Sequence, residues 1–445
     1  MSITNIKPPQ TMTLIATGSG TAMASVCAVG LLQIEQTLGG IGAVAAISIA
    51  GLLCLVLARA LARLTTILPS GAGLMAFLSR AFGRPVGILV VVPYLILMLL
   101  LVGFEALIVG ELVARLLPIP VIVTAVGFLV LTWAVCRAGI QIGYLAQAVT
   151  TWALFACLTG ISCVTLLTAY QHGELLAHLS SAVPTFTTFI AGIGQALFLF
   201  MGFELLTAHV EVADKQSVGR ALSGSVGVLM LFYIITALGF ACLTELPRTH
   251  SGFVLPQLLL AEQTGRLDVI LLIIITGLLA SFSSFNGALL ALSRFAYALA
   301  SQGLLPRQLA QLESRTLTAR PALRWLLGLT VSFTVIIYLL SWYQTVILAA
   351  AIATALVYAA VLLARERVPF RESERAYHQQ LMSAALALSL VGLGVGVIVT
   401  AENVRQSTVL LLVMAYGIAA LLLTKRHHKQ SQPTPIRRGK PQHAN

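Results

Sequence analysis

Apolar residues in this chain come in long blocks, and polar residues collect in the short stretches between them. Twelve blocks stand out, at 11–34, 39–64, 86–115, 119–139, 144–169, 185–209, 219–245, 267–300, 322–341, 343–365, 381–401 and 407–424. Each is longer than a buried strand, and each is close to or above the roughly 20 residues that a helix needs to cross the hydrocarbon of a bilayer. Lipid offers no water to satisfy backbone N–H and C=O groups, so such segments must be helical. The pattern predicts an all-α, polytopic membrane protein of about 12 transmembrane helices.

Composition strengthens this reading. Of 445 residues 58% are hydrophobic and only 9% charged, against roughly 25% charged in soluble domains, and the mean hydropathy is +0.95. The basic residues alternate with the blocks. With the N-terminus inside, all 27 Lys and Arg except Arg115, Arg248, Arg266 and Arg405 fall on the cytoplasmic side, as the positive-inside rule requires of an even number of spans with both termini cytoplasmic. The expected location is therefore the plasma (inner) membrane. The net charge of +12 belongs to these loops, where it sets topology and meets anionic lipid. Nucleic acid would need a basic face on a folded soluble domain, so membrane lipid is the expected partner and nucleic acid is not.

The ends and the cysteines add little chemistry. Residues 1–10 read as a short cytoplasmic tail, and residues 425–445 as a basic, disordered one, with His427 and His428 solvated rather than metal-binding. The first apolar block is long enough to be a retained span and not a separate signal peptide. Cys27, Cys54, Cys136, Cys157, Cys163 and Cys242 lie within apolar segments without CxxC spacing. They read as small buried hydrophobes, with no disulfide, metal or cofactor implied.

Two blocks carry polar and small residues where a lipid-facing helix would carry leucine. The first runs from Thr13 through Thr17, Gly18, Ser19, Gly20 and Thr21 to Ser25, and the second from Gln195 through Phe198, Met201 and Gly202 to Glu204. A carboxylate at membrane depth marks a pathway for substrate or protons. Glycine weakens a helix by about 1 kcal/mol relative to alanine, and freed backbone is tolerated there only beside a cavity or under protein. Freed N–H groups suit a carboxylate and freed carbonyls an ammonium, so two broken helices point to a ligand with both charges, such as an amino acid. Close helix packing through small residues is the competing explanation of the glycines.

The stretch from Asn286 through Ser293, Arg294, Tyr297, Ala298 and Gly303 to Pro306 closely resembles the signature of amino acid-polyamine-organocation transporters. Leu68 to Gly73 with Ala81-Phe82-Gly83, the run Phe198 to Glu204, and Glu211 to Ala221 are similar to the same family, and the resemblance extends from about Thr11 to Arg371. It implies two inverted five-helix repeats, at 11–169 and 185–365, with broken helices 1 and 6, followed by peripheral helices within 381–424. It implies further that helix 1 N–H groups hold the substrate carboxylate and that carbonyls of helices 1 and 6 hold its amino group. Aligning Thr17-Gly18 with the family's small-Gly pair makes Met23 and Ala24 the donors and Gly20, Phe198 and Met201 the carbonyls. A second register uses Gly18-Ser19-Gly20 directly. Phe198 matches the aromatic gate over the substrate, and Glu204 an acidic position tied to proton-dependent release. Several relatives carry a lysine in span five, but Ala148 to Ala156 has none.

By the same resemblance the side-chain pocket would be lined by Leu97, Met98 and Val102 of span three and Ala288 of span eight, an apolar and roomy wall. Neutral, bulky amino acids are the expected substrates, with protons as a candidate partner and secondary transport or exchange as the mode. A cationic amino acid or polyamine would need a desolvated counter-charge, and Glu105 is the candidate for it. A membrane enzyme would need a catalytic cluster, whereas the eight His lie mostly in loops and tails. A non-transporting sensor of the same fold is the remaining reading.

Overall fold

A computed structural model describes residues 8–179, 184–242, 267–313 and 316–368, and these are helical with no strand among them. The first apolar block is a bent pair, α1 (Thr11–Ala22) and α2 (Ser25–Leu38). Then follow α3 (Gly40–Ile67), the short α4 (Gly73–Phe82), α5 (Arg84–Ala114), α6 (Val121–Ala138) and α7 (Ile140–Gln171). A five-residue helix, α8 (Leu175–Leu179), precedes α9 (Phe186–Leu199) and a 3-10 segment, Phe203–Glu211. The remainder is α10 (Lys215–Ala241), α11 (Leu267–Ser301), α12 (Arg320–Leu340) and α13 (Tyr343–Arg367). Eight of these units are long and apolar enough to cross a membrane, nine with the α1/α2 pair, and α13 packs among them as a tenth. The ten match the first ten apolar blocks. The blocks at 381–401 and 407–424, like the tail at 425–445, lie outside the described residues.

Local chemistry sets the ends. Pro85 and Pro321 occupy first-turn positions of α5 and α12, where a missing N–H costs nothing. Asp214 caps α10 by accepting from the N–H groups of Gln216 and Ser217 at 3.0 and 3.1 Å, which satisfies donors that the first turn leaves orphaned.

Counting spans in order, each with its broken partner, the helix contacts exchange under a shift of five. Span 1 packs on span 7 and span 6 on span 2; span 5 packs on span 8 and span 10 on span 3; span 4 packs on span 8 and span 9 on span 3. Two five-helix units with one packing plan give this exchange. Because five is odd, the second unit must enter the membrane from the opposite side, so the repeats are inverted. Spans 3 and 6 form the centre: 61% and 78% of their most apolar windows are buried, against 22% for spans 4 and 5.

Candidate functional site

Spans 1 and 6 are broken at the same place. Helix α1 stops at Ala22, α2 starts at Ser25, and the axes differ by 62°. Helix α9 stops at Leu199, and Gly202, at φ +116°, turns the chain into the 3-10 segment. A β-carbon on Gly202 would lie 3.3 Å from the backbone of Thr21 and Ala22. The breaks therefore touch, and glycine is required by both its torsion and this approach.

Each break leaves backbone groups without helical partners, and named side chains take them up. At span 1, the N–H groups of Ser25 and Val26 donate to the Glu105 carboxylate at 3.0 and 2.8 Å, and Ser281 Oγ donates to it at 2.9 Å. Met23 N–H instead returns to Ser19 O at 2.9 Å and Ala24 N–H to Ala22 O at 3.0 Å. At span 6, Gly202 N–H donates to Glu204 Oε1 and Oε2 at 3.0 and 3.1 Å. Tyr94 and Tyr358 add their hydroxyls, the latter at 2.8 Å, and Glu204 is wholly buried. Two intramembrane carboxylates thus serve two helix breaks. The freed carbonyls are shared: the Tyr233 hydroxyl donates to Leu199 O at 2.6 Å and reaches Ala22 O at 3.4 Å, the Cys27 thiol donates to Ala22 O at 3.2 Å, and Ser284 Oγ donates to Thr21 O at 3.1 Å.

A cavity of about 40 Å³ lies against both breaks. Of the residues expected around a ligand, Ala24, Met98, Val102, Phe198, Met201 and Ala288 line it, and so does Glu105. Met23 lines a different, largely apolar cavity of about 50 Å³ between spans 1, 3, 5, 7 and 8. Thr17, Gly18 and Gly20 lie within α1, away from the deep cavity. There the glycines serve close packing: a β-carbon on Gly18 would meet Leu206 and Ser225, and one on Gly20 would meet Gln147, Thr151 and Ser283. Leu97 is buried in α5 without reaching the cavity, and Glu204 points away from it toward spans 3 and 10.

Span 5, which has no lysine, joins α1 and α11 through uncharged groups. Gln147 Nε2 donates to Ser283 Oγ at 2.8 Å, Thr151 Oγ1 donates to Ala16 O at 3.1 Å, and Asn286 Nδ2 donates to Gln147 Oε1 at 2.7 Å. Beyond them a cavity of about 500 Å³ opens beside the start of α1, lined by Thr13, Tyr144 and Glu211 among others. Next to it Arg294 lies 4.0 Å from Glu211 and donates to Leu317 O at 3.1 Å, and Tyr144 meets His209 Nδ1 at 2.5 Å.

Sequence reasoning missed Ser25, Val26, Ser281 and the three tyrosines. A signal existed for the tyrosines. Tyr94, Tyr233 and Tyr358 each sit mid-block in apolar sequence, and a phenol at membrane depth needs a partner. The backbone N–H groups left no signal, because they belong to whichever residues follow the break.

Among curated proteins, none matches the chain. A sequence profile of a family does, over residues 10–421: it is that of amino acid permeases. With the broken spans and the cavity between them, this match places the chain in the amino acid permease family of the amino acid-polyamine-organocation superfamily, as an integral membrane protein that transports amino acids.

Proposed function

We propose that the protein is a secondary active transporter that moves neutral, bulky amino acids by alternating access, coupled to protons or run as an exchange. The observation that carries this reading is the contact between two helix breaks beside an apolar cavity. Half-helix ends at membrane depth offer N–H dipoles to a carboxylate and carbonyls to an ammonium. Met98, Leu101, Val102 and Ala288 give the cavity an apolar face for a side chain. At about 40 Å³ the cavity is well below the roughly 150 Å³ that takes up a benzene, so an amino acid enters only when the spans part. Alternating access supplies that movement.

Phe198 is the occluding ring: it lines the cavity one residue before the end of α9. Glu204 acts in gating and proton coupling by fixing the span 6 break to spans 3 and 10. Both termini are cytoplasmic and the membrane is the inner one, on the distribution of basic loops. The five-helix units 11–169 and 185–365 rock against each other. A cationic amino acid or polyamine is the second reading, because Glu105 lines the cavity. It is the weaker one, since both Glu105 oxygens already accept from Ser25, Val26 and Ser281.

Uptake into proteoliposomes decides. Saturable accumulation of radiolabelled leucine, increased by an inward proton gradient or by preloaded leucine, is the expected result. Uptake of lysine or putrescine without any neutral amino acid would establish the second reading, and no flux of any of them would leave a sensor.

A further inference from the structure

Glu105 is 2% exposed, and its carboxylate caps the start of α2, where the N–H groups of a half-helix suit an anion. Its two oxygens accept from the first free N–H groups of α2, those of Ser25 and Val26, with Ser281 as a third donor. Ser281 Oγ lies 2.8 Å from Ser25 Oγ, whose hydroxyl donates to Gly277 O at 2.7 Å. The seat is thus built from spans 1 and 8, and span 3 supplies its occupant. Its occupant also forms part of the wall of the deep cavity, with Ala24, Val26 and Phe198. One pair of N–H groups cannot serve two carboxylates at once.

We propose that Glu105 is an internal competitor for the substrate's carboxylate, and that its displacement couples substrate binding to uptake of one proton. This rests on the amino acid reading above. The substrate carboxylate takes the Ser25 and Val26 N–H groups. The Glu105 side chain, stripped of these donors against Met98, Leu101 and Val102, takes a proton from the aqueous side, because a buried carboxylate without partners is neutralised before it is tolerated. The loaded site then holds one zwitterion and one added proton. On release the proton leaves, and Glu105 returns to the end of α2.

Glu204 is the other carboxylate at the breaks, and it keeps its own donors, Gly202 N–H and the Tyr94 and Tyr358 hydroxyls, when Glu105 is displaced; few other described groups face Glu105. The Cys27 thiol of α2 lines the same cavity but donates to Ala22 O, and Tyr233 of α10 is engaged with backbone carbonyls. Span 8 presents Ser281, and α12 presents Thr334 against Gly103. Tyr343 of α13 stacks near Phe104, with Glu111 further along α5.

Leucine binding to purified wild type, Glu105→Gln and Ser281→Ala, measured by calorimetry from pH 5 to 9 in buffers of different ionisation enthalpy, tests the proposal. Wild-type affinity falls by about tenfold per pH unit on its alkaline limb, with one proton taken up per leucine. Glu105→Gln binds leucine with a flat pH profile, and more tightly than wild type at alkaline pH. Ser281→Ala, which removes one donor to the ionised carboxylate, moves the limb to higher pH. A Glu105→Gln protein with the wild-type slope overturns the proposal, as does one that elutes as a folded species yet binds no leucine at any pH. If Glu105→Gln does not fold, Ser281→Ala decides, and an unmoved limb overturns the proposal. Flat wild-type binding overturns this proposal alone, whereas a wild type that binds no neutral amino acid overturns the amino acid reading with it.

Discussion

Gly202 is held to glycine by two separate constraints, a φ of +116° and the nearness of the Thr21 and Ala22 backbone. Gly202→Ala is expected to cost about 1–3 kcal/mol from the torsion alone, read as a lowered thermal unfolding midpoint in detergent. Tyr233 is a similar case. Its hydroxyl serves carbonyls of both breaks; Ala22 O keeps Cys27 and Ala24 as donors, so Tyr233→Phe strands the buried Leu199 carbonyl at about 1–3 kcal/mol, and the same assay checks it. Glu204 was legible in the sequence as an acid in an apolar block. Its partners were not, because Tyr94 and Tyr358 are 110 and 154 residues away and a carboxylate does not announce which phenols will find it.

Breaks, as elements, were half legible. Polar and small residues marked both blocks, but two kinds of glycine were mixed among them. Gly202 makes a turn, whereas Gly18 and Gly20 lie in an unbroken α1 and let neighbouring helices approach. The span 1 break falls at Met23 and Ala24, between two apolar half-helices and without a glycine. Helices α4 and α8 left no mark in a search for long apolar blocks, since they are 10 and 5 residues long. The Glu204 cluster should behave as one element joining spans 3, 6 and 10. Tyr94→Phe and Tyr358→Phe each remove a hydrogen bond to a charged group, worth about 1.5–3 kcal/mol. A double-mutant cycle on unfolding is expected to give a coupling of at least about 0.5 kcal/mol, the level that marks a shared network. Strict additivity would mean that the two phenols act separately.

At the scale of the molecule, hydropathy carried the architecture, because lipid leaves a chain few structural choices. The five-helix repeat was not legible as self-similarity. It emerges in packing, where the span contacts exchange under a shift of five. The cavity was legible only through the resemblance, and unevenly, since span 3 turns Met98 and Val102 toward the cavity but not Leu97. The central claim is that amino acids pass through the cavity between the two breaks, with Ala288 of span 8 on its wall. The direct measurement is uptake of radiolabelled leucine and alanine by Ala288→Phe in proteoliposomes. A ring there takes the room of a bulky side chain, so leucine uptake is expected to fall by tenfold or more, on the order of 1.4 kcal/mol, while alanine uptake persists. A folded Ala288→Phe protein with wild-type selectivity between the two would contradict the account.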